Sequence, residues 1–192
     1  MTTFRDLLEE RKDTIVRRWV DAVLSIYPSD AAALFRAQQD PFANPLGRGV
    51  REGTCGIFQT ILDGMDPDDL HAHLDEIIRI RAVQELTPTE ALSFVFSLRS
   101  IVRQVIPEAE TDPRFREGLS ELDEKIDEVA LAAFGIYSAL REEVSQLRIN
   151  EAKRQVAWVL ERMNRRGEGP ERALEDSSRR TSTYHNVQRE DL

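Results

Sequence analysis

Between Pro113 and Pro170 the chain has no proline, and before Gly167 that stretch holds just two glycines, Gly118 and Gly135. Proline deletes a helical hydrogen bond and clashes with the preceding turn, so its absence over such a span leaves a helix unopposed. Apolar residues recur at Phe115, Leu119, Leu122, Ile126, Val129, Ala133, Ile136, Leu140, Val144 and Leu147, in steps of four and three. The spacing restarts at Ile149, Ala152, Val156, Val159 and Met163. Steps of three and four mark one face of a helix. A continuous helix over 113–166 would run ~80 Å at 1.5 Å per residue, while a compact domain of this size is ~30–35 Å across. The sequence therefore predicts a long C-terminal helix extending from the body. The second run is one narrow seam flanked by Glu151, Lys153, Arg154, Glu161 and Arg162, as in a coiled coil or a docked helix pair. We expect Ile149, Ala152, Val156, Val159 and Met163, with Trp158 beside them, to form a dimer or partner interface. After Gly167 the chain turns polar and loses its apolar stripe, which predicts a disordered tail. The expected division is 1–148, a globular domain; 149–166, a helical extension; and 167–192, the tail.

The remainder also reads as helices. Thr3 and Asp6 have capping-box spacing, and an apolar stripe follows from Phe4 to Tyr27, ended by Pro28. Asp30 can cap a shorter helix through Leu34 and Phe35. The stretch Asp40-Pro41-Phe42-Ala43-Asn44-Pro45-Leu46-Gly47 forbids a continuous helix, and Phe42 is expected to be buried and to pin this loop. Asn44 with Pro45 opens a third helix that stops near Gly64. Asp66-Pro67-Asp68-Asp69 and Thr87-Pro88-Thr89-Glu90 open two more, the latter a full capping box. Pro107 closes the last of these. No strand-like alternation of useful length occurs, so the expected fold is all-α, with about five helices by this pattern.

Composition narrows the function. Of 192 residues, 41% are hydrophobic and 32% charged, and the net charge is −9. That balance argues against a binder of the nucleic-acid backbone, which would be basic. No apolar run approaches the ~20 residues needed to span a bilayer, and the start MTTFRDLLEERKD has no apolar signal core. The single cysteine, Cys55, fits a reducing compartment. A cytoplasmic protein is expected, without a nucleic-acid partner and without direct membrane insertion.

Reactive constellations are scarce. His71 and His73 lie two apart on a helix, so they point in different directions and do not converge on one ligand. They read as exposed structural histidines among Asp68, Asp69 and Asp75. Cys55 reads as a small buried or half-buried thiol; the nearby Arg48 and Arg51 keep a redox role open. In Ile77-Ile78-Arg79-Ile80-Arg81-Ala82-Val83-Gln84, Arg79 and Arg81 sit inside an apolar stretch. Either one reaches a buried carboxylate or pocket, or both stems snorkel along the surface. Arg79, Arg81 and Cys55 are thus the candidate pocket or regulatory residues. Arg179-Arg180-Thr181-Ser182-Thr183 could be phosphorylated, though such strings are common in polar tails. No glycine-rich phosphate loop and no nucleophile elbow appears. No catalytic residue, cofactor or metal site is expected.

Taken together, Trp19 with its apolar neighbours, the loop Asp40-Pro41-Phe42-Ala43-Asn44-Pro45 and the string from Ile78 through Pro88, Glu90 and Ala91 resemble the N-terminal domain of RsbR-type RsbT co-antagonist proteins, the RsbRD N-terminal domain family. The likeness covers residues 4–150. It implies a globin-like fold that binds no haem, forms a homodimer and serves as a non-enzymatic sensor module in bacterial stress signalling. In complete members a linker helix leads to a STAS domain that binds the switch kinase and is phosphorylated. Here only the short tail follows the long helix, so a stand-alone sensor or adaptor is expected, with residues 1–148 as the sensor domain and an unknown protein partner. The alternative is a ligand- or redox-sensing accessory subunit of an anaerobic, sulfate-reduction-associated membrane redox complex.

Overall fold

In the computed structural model the described backbone covers residues 2–37, 44–84 and 86–186, with side chains described for 2–28, 30–35, 44–82, 84 and 86–165. The fold is all-α: α1 (Phe4–Glu10), α2 (Lys12–Leu24), α3 (Ser29–Ala37), α4 (Pro45–Asp63), α5 (Pro67–Val83), α6 (Pro88–Val105), α7 (Glu108–Thr111), a 3-10 turn (Pro113–Phe115) and the long C-terminal α8 (Arg116–Asn186). No strand occurs among the described residues. The chain divides into two compact units, Met1–Glu143 and Val144–Leu192.

The helix starts follow from the local chemistry. Thr3 and Asp6 form a reciprocal capping box, as do Thr87 and Glu90 ahead of Pro88. The Asn44 side chain accepts from Gly47 N–H at 2.8 Å, and Asp66 accepts from the amides of Asp68 and Asp69 at 3.0 Å. Each satisfies donors that the first turn of a helix leaves orphaned. Gly64 ends α4 at φ 109°, a left-handed conformation that suits glycine.

Three features depart from the sequence pattern. The stripe from Phe4 to Tyr27 is broken at Arg11 into α1 and α2. Residues 9–14 are all polar, so this turn offers no apolar side chain to the core, and the break lets Phe4 meet Phe115, ring centroids 6.2 Å apart. The short α7 has no apolar repeat to announce it; Ala109 is its one buried residue. The helical backbone of α8 also runs past Gly167, where a tail was expected, as far as Asn186. Pro170 is followed there by Glu171-Arg172-Ala173-Leu174-Glu175, all strong helix formers. Phe42, expected to pin its loop, lies outside the described residues, and so do 187–192.

Within Met1–Glu143, α2 packs against α4 and α6, and α4 lies along α5. Gly53 permits the close approach of the last pair: a Cβ there would come within 2.8 Å of Ile77 Cγ1 and 3.0 Å of the His73 carbonyl. Trp19 is fully buried, and its Nε1 donates to the Phe94 carbonyl at 2.7 Å. Burial of each large apolar side chain of this core is worth ~1.5–3 kcal/mol. The first part of α8 contributes Leu122, Ile126, Val129, Ala133 and Ile136, all buried, on the predicted stripe. It also closes neighbouring helix ends. Lys125 Nζ donates to the Ile61 carbonyl at 2.8 Å and Arg141 to the Ala82 carbonyl at 3.1 Å, in the last turns of α4 and α5, while the Tyr137 hydroxyl donates to the Leu86 carbonyl between α5 and α6 at 2.6 Å. Cations are favoured at such carbonyl ends because the helix dipole is negative there.

Candidate functional site

The two arginines of α5 have separate fates. Arg79 is exposed and pairs with Asp75, one turn earlier, at 3.0 Å. Arg81 is buried, 1% exposed. It reaches neither a carboxylate nor a pocket, and it does not snorkel. Its guanidinium donates to the carbonyls of Glu90 and Ala91, both at 3.0 Å, and of Val23 at 2.6 Å. The guanidinium carbon also stands 4.9 Å from the centroid of Phe94. Val23 belongs to the last turn of α2, so Arg81 completes that helix end while α6 presents carbonyls from its first turns. Burial pushes Arg81 down to about 10, with Tyr27 opposing; it stays charged at neutral pH. Burying a cation is tolerated because carbonyl dipoles and an aromatic face replace the lost water. Arg81 therefore ties α2, α5 and α6 together at one point.

Cys55 is half-buried. It lines a surface groove of about 550 Å³ between α2 and α4, with Lys12, Val16, Arg17, Val20 and Arg51. Asp13 and Asp21 are also on the groove wall, whereas Arg48 pairs with Glu52 at 2.8 Å. His71 is exposed; the His73 ring lies against the backbone of Gly56, where a Cβ would meet it at 2.4 Å. Among the described residues no group of three or more His, Cys, Asp or Glu is placed to hold a metal ion. None of the described helices is long and apolar enough to cross a membrane.

Among the described residues, two apolar surfaces stand out as exposed. The first belongs to Met1–Glu143 and was not read from the sequence. Leu92, Phe96, Ala130, Leu131 and Phe134 line a groove of about 660 Å³ between α6 and α8. Phe96 is 48% exposed, Leu131 73% and Phe134 53%. Arg99 pairs with Asp127 at its edge, and Arg103 with Asp123 at 2.6 Å beyond. The signal was present as apolar residues left over once the core stripes of α6 and α8 are assigned. The second surface belongs to Val144–Leu192. Ile149, Ala152, Lys153, Val156, Ala157 and Leu160 line it, and Val159 and Met163 continue the row. Trp158, 55% exposed, is on the opposite side of the helix, where the Arg162 guanidinium carbon stands 5.2 Å from its ring centroid. Of the residues expected at this seam, Ile149, Ala152 and Val156 line the groove, Val159 and Met163 are exposed outside its lining, and Trp158 lies with Arg162.

No curated protein and no solved structure matches the chain. The family model described as RsbT co-antagonist protein rsbRD N-terminal domain matches residues 13–152, a span that holds Trp19, Arg81 and the groove between α6 and α8. With most of its length covered by that model, the chain belongs to the RsbRD N-terminal domain family.

Proposed function

We propose that the chain is a cytoplasmic sensor or adaptor module of bacterial stress signalling, working by dimerisation and protein contact without catalysis. Membership of a family described by RsbT co-antagonist proteins supports the signalling role. The observation that carries the contact role is the exposed face of Phe96, Leu131 and Phe134. Contiguous apolar patches on a soluble surface mark places where another surface docks. A second copy supplies the same patch across a two-fold axis, so each Phe134 would meet apolar side chains of its partner. The seam at Ile149–Met163 is then the second contact surface. Light scattering at micromolar concentrations tests the reading. The full chain should run at twice 22.0 kDa, and the double variant Leu131→Asp, Phe134→Asp should run as a monomer. A wild type that is monomeric throughout would overturn it.

The groove holding Cys55 favours a second reading, a ligand- or redox-sensing accessory subunit. Native mass spectrometry of protein from its own host separates the two. A stoichiometric added mass, lost on Cys55→Ser or Val20→Arg, would support the second reading over the first.

A further inference from the structure

Of the residues that line the groove between α6 and α8, Asp127 alone carries a charge. Its side chain is 60% exposed, and its carboxylate accepts from Arg99 Nη2. A carboxylate is out of place on a surface that an apolar partner is to cover, because a charge taken out of water without a partner is costly. Arg99 answers that charge from the edge of the groove. The neighbouring Asp123 has a partner of its own. Arg103 donates to its two oxygens at 2.6 Å and 3.3 Å, and meets Glu110 at 3.0 Å through Nε. Arg99 Nε stands 3.4 Å from Asp123 Oδ1, yet it is buried and makes no hydrogen bond among the described residues. A buried donor left unmade costs stability, so tying α6 to α8 does not by itself account for this pose. Arg99 instead anchors Nη2 on the Asp123 carbonyl at 2.8 Å and turns it to Asp127. Its guanidinium carbon is 6.0 Å from the ring centroid of Phe96, a wall of the same groove.

We propose that Arg99 is the positioning residue of this groove: it neutralises Asp127 and steadies Phe96, and so makes the face fit for the apolar surface of a second copy. The inference rests on the reading of this face as the contact with a second copy, and adds what makes that contact possible. An exposed ion pair contributes little to the stability of a free chain. Once a second copy covers the groove, the same pair keeps Asp127 from being buried as a lone charge. Loss of Arg99 therefore weakens the dimer more than the fold. The pair also bears on what can dock. With Asp127 answered from within, the groove offers no unmet charge to a basic helix, and a neutral apolar face such as its own copy suits it better.

Dimer dissociation constants of the full chain, measured by analytical ultracentrifugation, give a double-mutant cycle on Arg99 and Asp127. Arg99→Met strands Asp127 in the contact and should weaken the dimer at least about tenfold. Asp127→Asn should stay within about threefold of wild type, and Arg99→Met combined with Asp127→Asn should return to that range. A merely structural role of Arg99 would leave the combined variant as weak as Arg99→Met. Asp127→Lys changes an exposed position of the free chain, sets an unpaired cation on the groove lining, and should also weaken the dimer at least about tenfold. That variant decides the matter if circular dichroism shows that Arg99→Met does not fold. A dimer unchanged by Arg99→Met or by Asp127→Lys, or a combined variant as weak as Arg99→Met, would overturn the proposal and leave the second-copy reading standing. A wild type that is monomeric at micromolar concentrations would remove that reading, and the proposal with it.

Discussion

Two stretches of α8 carry the same spacing and end in opposite surroundings. Leu122, Ile126, Val129, Ala133 and Ile136 are 8% exposed or less. In the row of Ile149, Ala152, Val156, Val159 and Met163, again at steps of three and four, the four larger side chains are 42% to 63% exposed. The first row is covered by its own unit; the second is uncovered in a single chain. Apolar spacing states which side of a helix wants cover and says nothing about who provides it. The borders differ as well. Near the first row, Asp123 and Asp127 are engaged by Arg99 and Arg103 of α6. Beside the second, Glu151 pairs with Arg154 and Glu161 with Arg165, both partners on the same helix.

One substitution made in both rows breaks the comparison most directly. Val129→Asp buries a carboxylate without a partner and should cost more than about 4 kcal/mol; urea titration should find the protein largely unfolded. If Val129→Asp is tolerated, the first row is not held as described. Next in size is Arg81→Ala. It leaves the Val23 carbonyl without its donor and opens a cavity among α2, α5 and α6, for about 3 kcal/mol. A loss below about 1 kcal/mol in the same titration would mean that water replaces the guanidinium. Thr87→Ala removes one half of a capping box and should lower stability by about 1 kcal/mol, read as a fall in Tm. Unchanged Tm with weaker association would move Thr87 from cap to interface. Smallest is Val156→Asp with Val159→Asp, which should leave the unfolding free energy of Met1–Glu143 from urea titration within about 0.5 kcal/mol of wild type. A large shift there would show that the second row is covered after all.

The helices and their caps were legible because each rests on a few neighbouring residues: Thr87 with Glu90, Asn44 with Pro45, Gly64 at its stop. The long α8 was legible for the same reason, although its continuation beyond Gly167 was not. The break at Arg11 needs the distant Phe115, which Phe4 meets, to explain it. Arg81 was singled out, but its partners were not foreseen, since backbone carbonyls have no letter in a sequence. The face of Phe96, Leu131 and Phe134 was missed because it joins leftovers from two helices whose core stripes had already accounted for them. The side occupied by Trp158 follows from counting positions around the helix, a step that adjacency along the chain conceals.

The buried guanidinium also bears on how the molecule assembles. Arg81 binds Val23, 58 residues earlier, and Ala91, 10 residues later. Until α2, α5 and α6 are all in place, closing any two of them around this cation would strand it away from water with its donors unmet. Partly formed cores are therefore penalised and the complete one is not, which sharpens the transition toward all-or-none. The amides around Ile77–Ala82 and Phe94–Leu98 would then exchange with solvent only when the whole unit opens, and at one common rate.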